Sequence, residues 1–149
     1  MIFVTVGTTH FDSLIKQVDA LVIEGIITDK VCCQIGSGSY EPTACEWYRS
    51  KSSISEDIKE AELIITHGGY TVLECIFLDK KSIAVANTDL TGNHQAKFLD
   101  ALSKEVSLNW IQDLGKLKMA LEKANENKTV NWKPQDLAGD LNDFLSTLN

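Results

Sequence analysis

Four polar or glycine-rich turns stand out in the sequence because each follows a short apolar run. They occupy residues 7–10, 36–39, 67–71 and 93–95, and together they hold all three histidines of the chain. An apolar run that ends in such a turn is typical of a buried strand in a parallel sheet, where ligands bind beyond the carboxyl ends of the strands. The spacing therefore predicts that the four turns meet at one edge of a sheet and form a binding site.

The turn at residues 67–71 has the composition of a phosphate-binding turn. Gly68 and Gly69 lead directly into a predicted helix, so backbone N–H groups and the helix N-terminus point at one place, where a phosphate or diphosphate can bind. Thr71 can add a hydroxyl donor, and Glu74, one turn later, lies within reach of a ribose diol. Alternatively, the glycines only permit a tight turn, and Glu74 is a solvated acid near the positive end of the helix dipole. The motif alone leaves both interpretations open.

Several other kinds of catalytic or binding motif are missing from the sequence. After Gly36 and Gly38, Glu41 stands where a dinucleotide-binding fingerprint has its third glycine, and there is neither a Gly-Lys-Ser/Thr P-loop nor a Gly-x-Ser-x-Gly elbow. The histidines are too far apart to form a local metal cluster, and no Asp-x-Asp occurs, so we expect no metal ion or other cofactor. The cysteines form no Cys-x-x-Cys pair, which favours small buried side chains in a reducing compartment.

The charge of the chain limits its partners. It carries 14 Lys+Arg and 21 Asp+Glu in 149 residues, a formal net charge of −7, which argues against nucleic acid or an anionic membrane as the main partner. An anion must be bound by local donors, because salt screens the general field over about 8 Å, whereas a helix terminus contributes about 0.3–2 kcal/mol nearby. No apolar run approaches the roughly 20 residues that span a bilayer, and the first residues do not resemble a signal peptide. We therefore expect a cytoplasmic protein.

The hydrophobic pattern predicts strands that alternate with helices. Apolar runs predict strands at residues 2–6, 31–35, 63–66, 82–86 and 106–108, and the segment Glu46-Trp47-Tyr48-Arg49 predicts a further short strand at residues 46–49. Helical spacing predicts helices at residues 11–22, 53–60, 72–77, 93–102 and 112–124. Thr9 with Asp12, and Ser53 with Glu56, are placed like capping pairs for the first two helices. The fold class predicted is α/β, a Rossmann-like open parallel sheet with helices on both faces.

The domain organisation predicted from the same pattern is simple. Residues 1–124 form one domain, residues 125–133 form a polar linker, and residues 134–149 form a C-terminal amphipathic helix. The apolar stripe of that helix consists of Leu137, Leu141, Phe144, Leu145 and Leu148. The stripe either docks a partner or packs on the sheet of its own domain, and the sequence leaves both open.

Taken in order along the chain, the motifs resemble a known family. The segments that carry the resemblance are Val4-Thr5-Val6-Gly7-Thr8-Thr9, Phe11-Asp12-x-Leu14-Ile15, Gln34-Ile35-Gly36-x-Gly38, His67-Gly68-Gly69 with Glu74, and Asn87-x-x-Leu90-x-x-Asn93-His94-Gln95. Over about residues 2–102 they resemble the C-terminal domain of glycosyltransferase family 28. The resemblance implies one half of a GT-B enzyme, the half that holds a UDP-sugar.

The resemblance also assigns roles to individual residues. It implies that the turns after the first strand and at the glycine pair hold the diphosphate, that Glu74 binds the ribose and that the segment around Arg49 faces the uracil. Asn93 and His94 are implied to lie by the sugar, with Gln95 the best candidate for contacting its hydroxyl groups. The donor-binding set is then Gly7, Thr8, Thr9, Gly36, Arg49, His67, Gly68, Gly69, Tyr70, Thr71, Glu74, Asn93, His94 and Gln95. His10 is the candidate for a catalytic or phosphate contact, the alternative being an exposed turn histidine.

The reaction implied by the resemblance is a metal-independent, inverting transfer of N-acetylglucosamine or another hexose from a UDP-sugar to a lipid-linked acceptor. A separate membrane-associated subunit would bind the acceptor and hold the complex at the cytosolic face of a membrane. Half a cleft by itself cannot exclude water or orient an acceptor. Two alternatives remain open: a galactosyl- or glucosyltransferase subunit of bacterial exopolysaccharide synthesis, and a non-catalytic module that binds nucleotide-sugars.

Overall fold

Across the residues described by the computed structural model, 1–90 and 94–126, six parallel strands form the centre of the fold. They are β1 (Ile2–Thr5), β2 (Val31–Gln34), β3 (Glu46–Tyr48), β4 (Leu63–His67), β5 (Ser82–Val85) and β6 (Trp110–Ile111). They lie in the order β3-β2-β1-β4-β5-β6, and each neighbouring pair is parallel. After β1, the chain adds β2 and β3 on one side of β1. After β4, it adds β5 and β6 on the other side, so the strand order reverses between β1 and β4.

Helices cover both faces of this sheet. They are α1 (Asp12–Ile23), α2 (Ser55–Glu60), α3 (Tyr70–Phe77), α4 (His94–Glu105) and α5 (Leu117–Glu126). Leu14 of α1 and Leu117 of α5 pack in one apolar cluster with Val4 of β1. Ile58 of α2 packs with Phe3 of β1, and because successive side chains of a strand alternate, this second cluster lies on the opposite face. The predicted fold class, an open parallel sheet with helices on both faces, is confirmed.

The last strand differs from the prediction at residues 106–108. The helix α4 continues to Glu105, and Val106 is buried in the same cluster as Leu99 and Leu102, so its apolar character reflects packing of the helix end. The strand β6 comes later, and Trp110 aligns with Ala84 of β5. The helix predicted at 112–124 begins later too: a 3₁₀ turn (Leu114–Lys116) precedes α5.

Both predicted capping pairs are wrong. The first residue before α1 is Phe11, which makes no side-chain cap, while the carboxylate of Asp12 accepts hydrogen bonds from the N–H groups of Ser39 (3.1 Å) and Tyr40 (3.3 Å). Before α2, the N-cap position likewise makes no side-chain cap, and the Ser53 hydroxyl accepts from the N–H of Ser55 at 3.2 Å. The carboxylate of Asp12 therefore binds a loop that is distant in sequence instead of capping its own helix.

A buried carboxylate organises the connection between β2 and β3. These parallel neighbours are joined by residues 35–45 without a helix. Asp19 of α1 is fully buried and accepts hydrogen bonds from the Tyr40 hydroxyl (2.5 Å), the Thr43 N–H (3.1 Å) and the Ala44 N–H (2.8 Å). Burial by itself would raise the pKa of the Asp19 carboxyl, but these hydrogen bonds lower it more, so the pKa lies below its ordinary value. The sequence analysis did not single out this residue.

The cysteines divide into two classes. Cys33 and Cys75 are buried, as predicted, and burial raises the pKa of the Cys75 thiol to about 12, which leaves it protonated at neutral pH. Cys32 and Cys45 are partly exposed. None of the helices within residues 1–90 and 94–126 has the length and apolar character to cross a bilayer.

Parts of the predicted organisation lie outside the described residues. The helix α5 runs to Glu126 and so includes the first two positions of the segment predicted as a linker, residues 125–133. The rest of that segment and the predicted helix at residues 134–149 are not among the described residues, and neither is Asn93.

Candidate functional site

The strand order reverses between β1 and β4, and the turns after these two strands enclose one histidine. A Cβ atom added to Gly7, in the turn after β1, would lie 3.5 Å from His67 Nε2. A Cβ atom added to Gly69, in the turn after β4, would lie 2.7 Å from His67 Cε1, closer than real Cβ contacts allow. The imidazole of His67 therefore lies between the two turns. A Cβ atom at position 69 would collide with it, whereas glycine at position 7 is favoured by its positive φ of +64°.

The turn after β2 packs on the turn after β1. Gly36 has φ +58°, and a Cβ there would collide with the carbonyl oxygen of Thr9 and lie 2.8 Å from that of Gly7. The N–H of Ser37 donates to the Thr9 carbonyl at 3.0 Å. Glycine is required at position 36 because of both its left-handed backbone and this close approach. We refer to residues 7–10, 36–39, 67–71 and 87–89 together as the rim.

Gln95, in the first turn of α4, joins two turns of the rim, the one after β4 and the one after β5. Its Oε1 accepts the N–H of Gly68 at 3.0 Å and the N–H of Asn87 at 2.8 Å. Because two N–H donors fix the position of that oxygen, the amide nitrogen must face His67 Nδ1, which lies 3.1 Å away. One N–H of the Gln95 amide is thus committed to His67, and the second remains a donor.

The same contact determines the tautomer of His67. Since Nδ1 accepts from Gln95, the ring proton of neutral imidazole is on Nε2, which lies between the turns after β1 and β4. Burial lowers the pKa of the His67 imidazole below its ordinary value of about 6.5. His67 is therefore neutral at physiological pH and presents one N–H donor at the point where the strand order reverses.

The N-terminus of α3 carries unused hydrogen-bond donors. The N–H of Val72 bonds to the Gly69 carbonyl at 3.2 Å, whereas the N–H groups of Tyr70 and Thr71 bind no acceptor within residues 1–90 and 94–126. One turn along the helix, the carboxylate of the half-buried Glu74 makes no hydrogen bond or ion pair with any other residue that the structure describes. The arrangement offers two N–H donors for an anion and a carboxylate for a diol.

Arg49, which follows the edge strand β3, binds the turn after β2. Its Nη1 donates to the carbonyl of Gly36 at 3.2 Å and to that of Gly38 at 2.7 Å, and its Nη2 lies 3.6 Å from Glu41. The guanidinium also lies 5.8 Å from the ring of Trp47, which is partly exposed on the edge strand β3. The two side chains form a flat, partly exposed surface at this end of the rim.

The turn after β5 is bonded to the turn after β1 and to the start of α1. Asn87 is buried, and its Nδ2 donates to the His10 carbonyl at 2.7 Å, while its Oδ1 accepts the N–H of Asp89 at 3.0 Å. The Asp89 carboxylate accepts from the N–H of Ser13 at 3.1 Å and from its hydroxyl at 2.6 Å. The sequence analysis noted Asn87 only as part of a spacing and missed Ser13 and Asp89. An Asn-x-Asp turn after a strand was the signal that could have drawn attention to them.

The structure brings most of the predicted site residues together. Contacts within the rim join Gly7, Thr9, Gly36, His67, Gly68, Gly69 and Gln95, and Arg49 is linked to them through Gly36. Tyr70, Thr71 and Glu74 follow on α3, and the exposed His94 begins α4 beside Gln95. Thr8 is exposed, and His10 contributes its backbone carbonyl to the rim while its ring makes no hydrogen bond with another described residue.

Residues 1–141 match the glycosyltransferase family 28 C-terminal domain. The chain belongs to this family. It is 38% identical over 116 residues to the human protein named UDP-N-acetylglucosamine transferase subunit ALG13, and 35% identical over 115 residues to the mouse protein of the same name. These alignments cover 70% and 69% of this chain and 10% of each relative, so the chain spans about a tenth of the length of these curated relatives. The resemblance inferred from the sequence motifs is confirmed at the level of the family.

Proposed function

We propose that this glycosyltransferase family 28 domain is the donor-binding, catalytic part of a UDP-sugar transferase that moves N-acetylglucosamine. Family membership supports the UDP-sugar, and the name of the human and mouse relatives supports N-acetylglucosamine and a role as one subunit of a larger enzyme. The observation that carries the proposal is the convergence of neutral His67, the free N-terminus of α3 and Gln95 at one point of the sheet.

The diphosphate lies, in this proposal, between the turn after β1 and the N-terminus of α3. The N–H groups of Tyr70 and Thr71 and the Nε2–H of His67 are the donors for its oxygens. Because the donors are neutral and fixed before binding, they stabilise the charge that develops on UDP as it leaves without any cost of reorganisation. Gly7 and Gly69 allow the phosphate oxygens to approach the backbone closely.

The two ends of the donor then extend along the sheet in opposite directions. Toward β3, the surface formed by Trp47 and Arg49 suits the flat uracil ring. Glu74, one turn into α3, is the acceptor for the ribose hydroxyl groups. Toward β5, the second amide N–H of Gln95 is a donor for a sugar hydroxyl, with His94 beside it and Asn93 in the preceding position of the sequence. Strand spacing of about 4.8 Å places the turns after β3 and β5 about 19 Å apart, a distance that an extended ligand can bridge.

The chemical step is an inverting displacement in which the acceptor hydroxyl attacks the anomeric carbon and UDP leaves. The acceptor proton passes to a general base, for which His10 is the candidate in this chain. We include in the proposal that the step needs no metal ion, that the acceptor is lipid-linked, and that a membrane-associated partner subunit binds it and holds the complex at the cytosolic face. The support for a partner is that the relatives are named as a subunit.

Calorimetric titration of the chain with UDP-N-acetylglucosamine tests the proposal. We expect binding that survives EDTA, that exceeds binding of UDP-galactose and UDP-glucose, and that weakens about tenfold in Glu74→Ala, because one hydrogen bond to a charged group is lost. Glu122→Ala, which removes an exposed acid from α5, is the matched control and should bind normally.

The other outcomes of this titration separate the alternatives. Preference for UDP-galactose or UDP-glucose would favour a subunit of polysaccharide synthesis. Binding without any transferase activity of the complex purified with its native partner would favour a non-catalytic module. If Glu74→Ala and Glu122→Ala bound equally well, the assignment of the ribose contact would be wrong.

A further inference from the structure

Three residues outside the predicted donor-binding set connect the turn after β5 to α1. Asp89 binds both the N–H and the hydroxyl of Ser13, and Asn87 binds the carbonyl of His10. We call Ser13, Asn87 and Asp89 the β5 clamp. No role in donor binding has been assigned to them so far.

The clamp lies at the carboxyl end of the sheet, on the face that α1 covers. The helix α1 packs on the face that carries Val4, and α4 packs through Leu99 on the face that carries Ala84. Residues 87–89 lie on the side of α1, because Asp89 reaches Ser13 there, whereas α4 begins on the opposite side. The clamp therefore fixes the position of residues 87–89 relative to α1.

The clamp also occupies the N-terminus of α1. Ser13 is the second residue of this 12-residue helix, and its N–H is one of the donors that would otherwise face a bound anion. The carboxylate of Asp89 already takes that place and would repel a phosphate there. Of the two helices that begin on either side of the point where the strand order reverses, α3 keeps its first N–H groups available, while the start of α1 is committed to an acid of the chain itself.

One hydrogen bond links the clamp directly to Gln95. The N–H of Asn87 donates to Gln95 Oε1 at 2.8 Å, and the same amide faces His67 Nδ1. A shift of Asn87 would therefore change where the remaining N–H of Gln95 points. It would leave the N–H groups of Tyr70 and Thr71, on α3, in place.

We propose that Ser13 and Asp89 are positioning residues for the donor sugar: they act through Asn87 to set the orientation of Gln95. This inference rests on the proposed function. It predicts a loss of discrimination between UDP-N-acetylglucosamine and UDP, because UDP lacks the sugar and depends only on the remaining contacts. A contact that merely stabilised the fold would affect the two ligands equally.

Calorimetry with UDP and with UDP-N-acetylglucosamine, on the full chain, tests the clamp. We expect Ser13→Ala and Asp89→Asn each to weaken UDP-N-acetylglucosamine binding about fivefold, about 1 kcal/mol, and to leave UDP binding within about twofold. The double variant should weaken binding by less than the product of the two single effects, because both substitutions alter the same Ser13–Asp89 pair. Ser13→Thr keeps the hydroxyl and should restore discrimination.

The matched control is Glu122→Gln, an exposed acid of α5 two residues before Ala124, which lines a pocket with Ile2 and Leu63, the first residues of β1 and β4, at the opposite edge of the sheet. It should change neither affinity. Equal effects of the clamp variants on both ligands, or no effect on either, would refute the role of Ser13 and Asp89 in positioning Gln95 and would leave the proposed function unaffected. If the unaltered chain bound neither ligand, the proposed function would be wrong, and the clamp with it.

Discussion

Replacement of Asp19 by asparagine tests how the connection between β2 and β3 is held. The substitution keeps the size of the side chain but puts an NH2 group where a carboxylate oxygen now accepts hydrogen bonds. The Tyr40 hydroxyl can rotate and accept instead, whereas the N–H groups of Thr43 and Ala44 cannot, so one backbone donor loses its acceptor. Loss of a hydrogen bond to a buried charge, with a donor left unpaired, costs about 3 kcal/mol.

A loss of this size is measurable because it is a large part of the stability of a typical domain. We expect Asp19→Asn to lower the free energy of unfolding in urea by about 3 kcal/mol and Tm by about 10 °C. Asp100→Asn, which breaks only an exposed pair with Lys104 (3.6 Å), should cost about 0.5 kcal/mol or less and serves as the control.

The difference between Asp19→Asn and the unaltered chain should also depend on pH. The pKa of Asp19 is lowered in the folded state, so its carboxylate contributes full stability above the unfolded pKa of about 3.9 and loses it as the pH falls through the lower folded pKa. The gap between the two proteins should therefore be widest near pH 7 and narrow below about pH 4. A gap under about 1 kcal/mol at pH 7, or one that did not change with pH, would refute the reasoning.

Two further predictions concern the rim. Gln95→Glu places a carboxylate beside His67 Nδ1, which lies 3.1 Å from the amide nitrogen of Gln95. The added negative charge should raise the pKa of His67 above about 6.5, as measured by NMR of its ring Cε1–H. A His67 pKa that stayed low would contradict the assigned contact. Gly36→Ala should lower the free energy of unfolding in urea by about 2 kcal/mol more than Gly25→Ala. Both glycines have positive φ, but only a Cβ atom at position 36 would collide with the Thr9 carbonyl oxygen. Equal losses would show that this carbonyl moves away from the added Cβ atom.

The sequence was informative where local pattern and burial agree. Apolar runs located β1, β2, β4 and β5 to within two residues, because strands covered on both faces are apolar nearly throughout. The edge strand β3 was located to within one residue from a mixed segment that is exposed at Glu46 and Trp47. The turns that follow them were correctly expected to share one edge, since parallel strands place all their carboxyl ends together. Composition did not distinguish β6 from the apolar end of α4, because Val106 and a strand residue bury the same kind of side chain.

What the sequence did not predict are contacts between distant residues. Asp12 has the spacing of a local cap, yet its carboxylate binds Ser39 and Tyr40, and no sequence period distinguishes these two uses of an acid. Asp19 lies on an otherwise apolar helix face, and only the packed loop explains its burial. The function of an acid is determined in such cases by the donors that the fold brings to it.

The bond between Ser13 and Asp89 joins residues 76 positions apart, so it has a consequence for the order of assembly. A chain that has folded only through β3 contains α1 but lacks Asp89, which binds the first turn of that helix. The entropy lost in closing so long a loop must be compensated before Asp89 can bind Ser13. The proposed donor-binding site is therefore completed only after the second half of the sheet has docked on the first, and under that proposal a partly synthesised polypeptide should bind no UDP-sugar.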